Sequence, residues 1–238
     1  MNKWARKIHR WVSYLVFIQV TLWIVGGVTF AVVPFDSIVK SGSVMAPPAS
    51  PVFPENWAAQ IQAQQKEFGP VVAMTSSNSS QGLLLQLKGE EESRWIRLAD
   101  GHLATRPEAE SVGLYAQQLY VGDGELVSTR FLAESEYRYF GFVDELYGRV
   151  NVWQASFSDS LGSRLYFDGD TGRYLTVRNN FWVFYDAMWR LHIMDYRGGE
   201  DFNNKLLLFF ALFAFVFAIS GMVLTYTAIQ RAVRKARA

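Results

Sequence analysis

Two stretches of the chain are continuously apolar, and the sequence between them alternates in short pieces. Trp11 to Val33 and Leu206 to Ala228 carry no charged side chain. At 1.5 Å rise per residue each makes a helix of about 34 Å, enough to cross a hydrocarbon core of about 30 Å. Glu55 to Phe68 then has helical spacing at Trp57, Ile61, Gln65 and Phe68, and Gly69-Pro70 stops it. Val71 to Ser76, Gly82 to Lys88 and Arg94 to Leu98 read as strands divided by Gly, Asn, Ser or a run of Glu. The order recurs: Ala109 to Tyr120 suits a helix, and Glu125 to Leu132, Arg149 to Ser156 and Arg164 to Tyr166 suit strands.

Two of these strands end alike, at Trp95 to Leu103 and at Leu165 to Tyr174, each in an Asp-bearing turn followed by Gly. In such a hairpin the Asp bonds its own backbone and the Gly takes a positive φ. The pattern predicts an α+β domain of two helix-plus-antiparallel-sheet units on two transmembrane α-helices. The predicted division is 1–10 basic N-terminus, 11–33 first span, 34–54 linker, 55–108 first unit, 109–180 second unit, 181–204 aromatic interfacial helix and loop, 205–228 second span, and 229–238 basic C-terminus. Ser41 to Pro54, rich in Ser, Gly, Ala and Pro, carries the linker reading.

Charge fixes the expected orientation. The net +1 hides a partition, because all 22 Asp and Glu lie between Asp36 and Asp201. Lys3, Arg6, Lys7 and Arg10 precede the first run, and Arg231, Arg234, Lys235 and Arg237 follow the last. The positive-inside rule then places both termini in the cytoplasm and the middle domain in the periplasm of a bacterial inner membrane. The first run far exceeds the 7 to 15 residues of a signal-peptide core, so an uncleaved anchor is expected. The chain has no cysteine, which removes disulfides, iron–sulfur clusters, thiolate zinc sites and covalent haem attachment. No P-loop or dinucleotide fingerprint appears, and no nucleic-acid partner is expected. Asp168, Asp170 and Gly172 open like a calcium loop, but Asn179 stands where the bidentate Glu is needed.

Four motifs in order carry a family resemblance. They are Lys7-Ile8-His9-Arg10-Trp11, the turn from Tyr166 to Tyr174, Trp189-Arg190-Leu191-His192, and Ser220-Gly221 inside the second run. In this order the chain resembles a PepSY-associated transmembrane protein over nearly its whole length. Larger members of that family have four spans and include b-type haem ferric-siderophore reductases whose ligands are histidines at span ends. This chain has two candidate spans and is similar to half of such a protein. The resemblance implies PepSY-like units, a homodimer or a membrane partner, a quinol or a partner protein as electron source, and haem b. Other relatives are linked to peptidase regulation without redox chemistry, so a non-enzymatic accessory protein binding a peptide, peptidase or membrane partner stands as the alternative.

Of three histidines, His9 and His192 fall at the predicted membrane boundaries and are the candidate haem-iron ligands. The two lie on opposite faces of the bilayer, about 30 Å apart, so one chain cannot give both to one haem. An isologous dimer pairs each with its copy. The plainer reading makes His9 an interfacial residue and His192 the end of an aromatic interfacial helix. Tyr185, Trp189 and His192 share one predicted helix face. Gln19 should face a helix or a cofactor, not lipid. Ala211, Ala214, Ala218, Gly221 and Thr225 form a small-residue stripe, and Gly26 and Gly27 open a gap on the first helix.

Overall fold

The computed structural model describes residues 3–33, 44–47 and 49–237. Within the predicted linker, residues 34–43 and 48 lie outside the described residues. The elements are α1 (Lys3–Val32), α2 (Trp57–Phe68), β1 (Ala73–Ser79), β2 (Gly82–Lys88), β3 (Ser93–Arg97), α3 (Ala109–Leu119), β4 (Leu126–Leu132), β5 (Tyr137–Arg138), β6 (Val143–Asp144), β7 (Val152–Phe157), β8 (Arg164–Asp168), β9 (Tyr174–Arg178), α4 (Asn180–Ile193) and α5 (Lys205–Ala236). They form two compact units, residues 1–34 with 184–238 and residues 35–183.

In the first unit α1 and α5 pack side by side, and both are long and apolar enough to cross a membrane. Only a narrow stripe of each is covered. On α1 it runs through Ala5, Val16, Gln19 and Gly26, the helical spacing that brings residues to one face. The other faces expose large apolar side chains, among them Phe17, Ile18, Leu208 and Phe215. Two contacts set the register of α1 on α5: His9 bonds Ser220 and faces Gly221. Leu206 is then level with about Trp23, so the charge-free runs overlap over little more than half their length.

What faces the rest of α1 is α4. Tyr185, Trp189 and His192 all pack against Phe30, with ring centroids 4.9, 5.7 and 5.4 Å away. The predicted common face of these three residues is therefore real. Gln19 donates to the Leu191 carbonyl at 3.2 Å, so its partner is the last turn of α4. Asn204 joins the two helices: its amide donates to the Ile193 and Asp201 carbonyls and its oxygen caps Leu207 N.

The second unit holds helix and antiparallel sheet twice. β1-β2-β3 is a three-stranded sheet. Ile61 of α2 packs with Leu85 and Leu87 of β2, Ile96 of β3 and Leu98, each worth roughly 1.5–3 kcal/mol when fully buried. β4-β7-β8-β9 is a four-stranded sheet, covered by Val112 and Ala116 of α3 against Ala155, Phe157, Leu165 and Val177. β9 and the β5-β6 hairpin extend the predicted set of strands. The matching turns are present, with Gly101 at φ 73° and Gly172 at φ 68°. Asp100 accepts from His102 N and Asp168 from Thr171 N. The described end of the linker is a strap: Met45 bridges Tyr120, and Ala46 N donates to the Leu119 carbonyl.

Candidate functional site

His9 lies on the covered face of α1, beside the small pair Ser220-Gly221 of α5. Its ring stacks on Phe217, with centroids 4.4 Å apart and planes 13° from parallel. Nδ1 is 2.9 Å from Ser220 Oγ, and the single Ser220 hydroxyl proton is already given to the Phe217 carbonyl at 2.8 Å. With the proton so placed, Ser220 is assigned as acceptor from His9 Nδ1–H, the tautomer that leaves the lone pair on Nε2. A ligating histidine holds this tautomer, with one ring nitrogen pinned by an oxygen and the other free. Gly221 makes room for it, since a Cβ there would stand 3.3 Å from the imidazole Cε1. His9 also sits eight residues inside the end of the second apolar run, deeper than its place at the start of α1 suggests.

His192 ends α4 in an apolar setting. Phe30 and Trp23 flank it, and the Trp23 indole donates to the His192 carbonyl at 2.7 Å. Its buried Nδ1 has no hydrogen-bond partner among the described residues, an arrangement that normally costs about 1–3 kcal/mol. That nitrogen points at Gly26, where a Cβ would be 3.2 Å away. Each candidate ligand thus faces a glycine on a neighbouring helix. Along α1, Gly26 is about 25 Å from His9 at the helical rise, so the chain does not bring the two imidazoles together. Each imidazole is a donor of the kind that ligates haem iron, while Phe30 fills the face of α4 expected to wall a macrocycle.

Sequence reading locates His9 on the first apolar helix and His192 at the end of the aromatic helix, but not the groups beside them. In the sequence, Ser220 stands out only within the Ser220-Gly221 pair and Gly26 only as a packing gap. The small-residue stripe divides: Ala214 and Gly221 turn toward α1, while Ala211, Ala218 and Thr225 are exposed at seven-residue intervals.

The second unit carries a groove of about 1130 Å³ between its two sheets. β1 and β9 are edge strands, joined where Ser80 N donates to the Gly172 carbonyl. Beyond that joint the groove is lined by Ser77, Asn78, Leu114, Tyr115 and Tyr174, with strap residues 45–47 and 49–52 along it. Asn78 holds the strap by donating to the Ala49 carbonyl at 3.0 Å. β1 presents no charged residue and no proline to guard its edge.

No family model, no curated protein and no solved structure matches the chain.

Proposed function

We propose that this chain is a PepSY-type inner-membrane protein that passes electrons across the bilayer through b-type haem, as a homodimer or with a membrane partner. Both termini lie in the cytoplasm and the two-sheet unit in the periplasm. The observation that carries the redox reading is the pinned tautomer of His9, supported by the unpartnered Nδ1 of His192. Haem iron supplies reversible one-electron chemistry when bound. His9 and His192 would hold it, one near each side of the bilayer, with quinol as the donor class and a ferric chelate as the acceptor class. Ser220 orients His9, and Gly26 and Gly221 leave room beside each ring. The exposed apolar faces of α1 and α5 suit a lipid solvent, and the exposed Ala211, Ala218 and Thr225 suit a second copy.

The groove favours a second reading, a membrane-anchored accessory protein. An unguarded edge strand beside an apolar trough accepts an extended peptide by strand addition. The deciding experiment is a reduced-minus-oxidised visible spectrum of the detergent-purified full chain expressed with haem supplied, beside His9→Ala and His192→Ala. A b-type spectrum in the parent, lost in either variant, is the expected result. A colourless parent leaves the accessory reading.

A further inference from the structure

The excursion between β4 and β7 holds aromatic side chains out in solvent at a conformational cost. β5 and β6 pair as a short hairpin. At its tip Tyr139, Phe140 and Gly141 are all left-handed, with φ of 50°, 57° and 92°. For a non-glycine residue this conformation costs roughly 1–2 kcal/mol, so the turn persists only because its base is over-determined.

The base is tightly held. Glu145, 2% exposed, accepts from Arg164 Nε at 3.0 Å, from the Tyr166 hydroxyl at 2.8 Å and from Arg138 Nε. Arg178 donates to its backbone carbonyl. Asp144, also buried, accepts from Leu146 N and Gly148 N, and Glu136 is paired with Arg130. Tyr147 packs edge-on against Trp182, in the first turn of α4.

The consequence is a sorting of chemistry. The acids Asp144 and Glu145 are withdrawn into the base, Glu136 is neutralised by Arg130, and Glu134 stays at the root. The tip shows Tyr137, Tyr139 and Phe140, which are 58%, 51% and fully exposed. Arg149 is exposed behind them. Tyr and Phe with a nearby Arg and no acid at the tip match the water–hydrocarbon interface, where aromatic rings settle and acids are disfavoured. A chain carrying its own spans also keeps a lipid surface at high effective concentration for any such element.

We propose that the β5-β6 tip is a lipid-docking tongue that inserts Tyr137, Tyr139 and Phe140 into the outer interface of the bilayer that α1 and α5 cross. The inference rests on the membrane reading above and is independent of haem.

The absence of cysteine makes the test direct. Phe140→Cys and Tyr137→Cys, each labelled with an environment-sensitive fluorophore, are compared with Glu91→Cys at the β2-β3 turn. All are full-length chains in nanodiscs of phosphatidylcholine and phosphatidylglycerol. Both hairpin labels should be blue-shifted, quenched by lipids spin-labelled near the headgroup, and reduced by aqueous dithionite about tenfold more slowly than the label at position 91. Labels at both hairpin positions that react as fast as the one at 91 overturn the tongue, and because the discs hold only lipid and this chain, that result would point to a protein partner. Alkaline carbonate extraction of the parent from membranes separates the premises. Release of the parent defeats the membrane reading, whereas retention with water-exposed labels defeats the tongue alone.

Discussion

At the scale of single residues, Ser220 decides what His9 can offer, because its one proton is spent on the Phe217 carbonyl and its oxygen is left to accept. Ser220→Ala frees the imidazole to rotate and change tautomer. On the redox reading, haem affinity of the full chain should fall by roughly 10–100-fold while the band persists at saturating haem; His9→Ala should abolish that site's share of the band. Equal loss in both would mean that Ser220 does more than orient. In the two-sheet unit a second pair sets a pH window. Tyr120 stacks on Phe157 and donates to Asp159 at 2.8 Å. Burial first, and then the Asp159 carboxylate, push its hydroxyl up to about 12 from 10.0. Burial pushes Asp159 the other way from its net shift, but the donors Ser163 and Tyr120 outweigh it and hold the carboxyl below 3.8. The raised tyrosine contributes stability that is complete below pH 10 and lost as pH climbs through 12. The depressed carboxylate contributes above pH 3.8 and loses it as pH falls further. Denaturant unfolding of the solubilised chain across pH should show both limbs, and Tyr120→Phe should shrink both and cost about 1 kcal/mol between them. Unchanged limbs in that variant would assign the pH dependence elsewhere.

At the scale of elements, Glu145 carries the largest share of the side-chain bonds at the base of the β5-β6 hairpin. Glu145→Ala strands the buried Arg164 guanidinium, itself 7% exposed, and should cost about 3–5 kcal/mol. Thermal unfolding would read the loss, and limited proteolysis between Leu132 and Val152 should speed up with it; a variant as resistant as the parent would show that the hairpin holds itself. Such a hairpin could not be read in advance. Its strands are two residues each, and the side chains that hold them come from β8 and β9. β9 was missed for a related reason: Tyr174 to Arg178 follows a turn and leads into an aromatic helix, so local pattern gives it no boundary of its own. α1 and α5 were legible because uninterrupted apolar runs between basic clusters carry one meaning over many residues. His9 at the start of α1 and His192 at the end of α4 could be located from sequence. Gly26 beside His192 and Ser220 beside His9 were not, since the register of one helix on another is a long-range choice that periodicity does not encode.

At the scale of the whole molecule, the stagger of α1 against α5 sets a length. With Leu206 level with about Trp23, the stretch free of charge on both helices runs from Trp11 to about Trp23, which is about 20 Å of helix. On the membrane reading, a hydrocarbon core of about 30 Å exceeds it, and the mismatch is met by thinning the lipid around the pair or by stretching Lys7, Arg10 and Lys205 toward water. Thermal stability in nanodiscs should therefore be higher in 14-carbon than in 20-carbon acyl chains, by fractions of a kcal/mol for each ångström of excess thickness. The reverse order would show that the pair slides to a new register in lipid. On the same reading, a pair that fits thin bilayer better than thick gathers where the membrane is already thin, so lipid composition would sort it within that membrane.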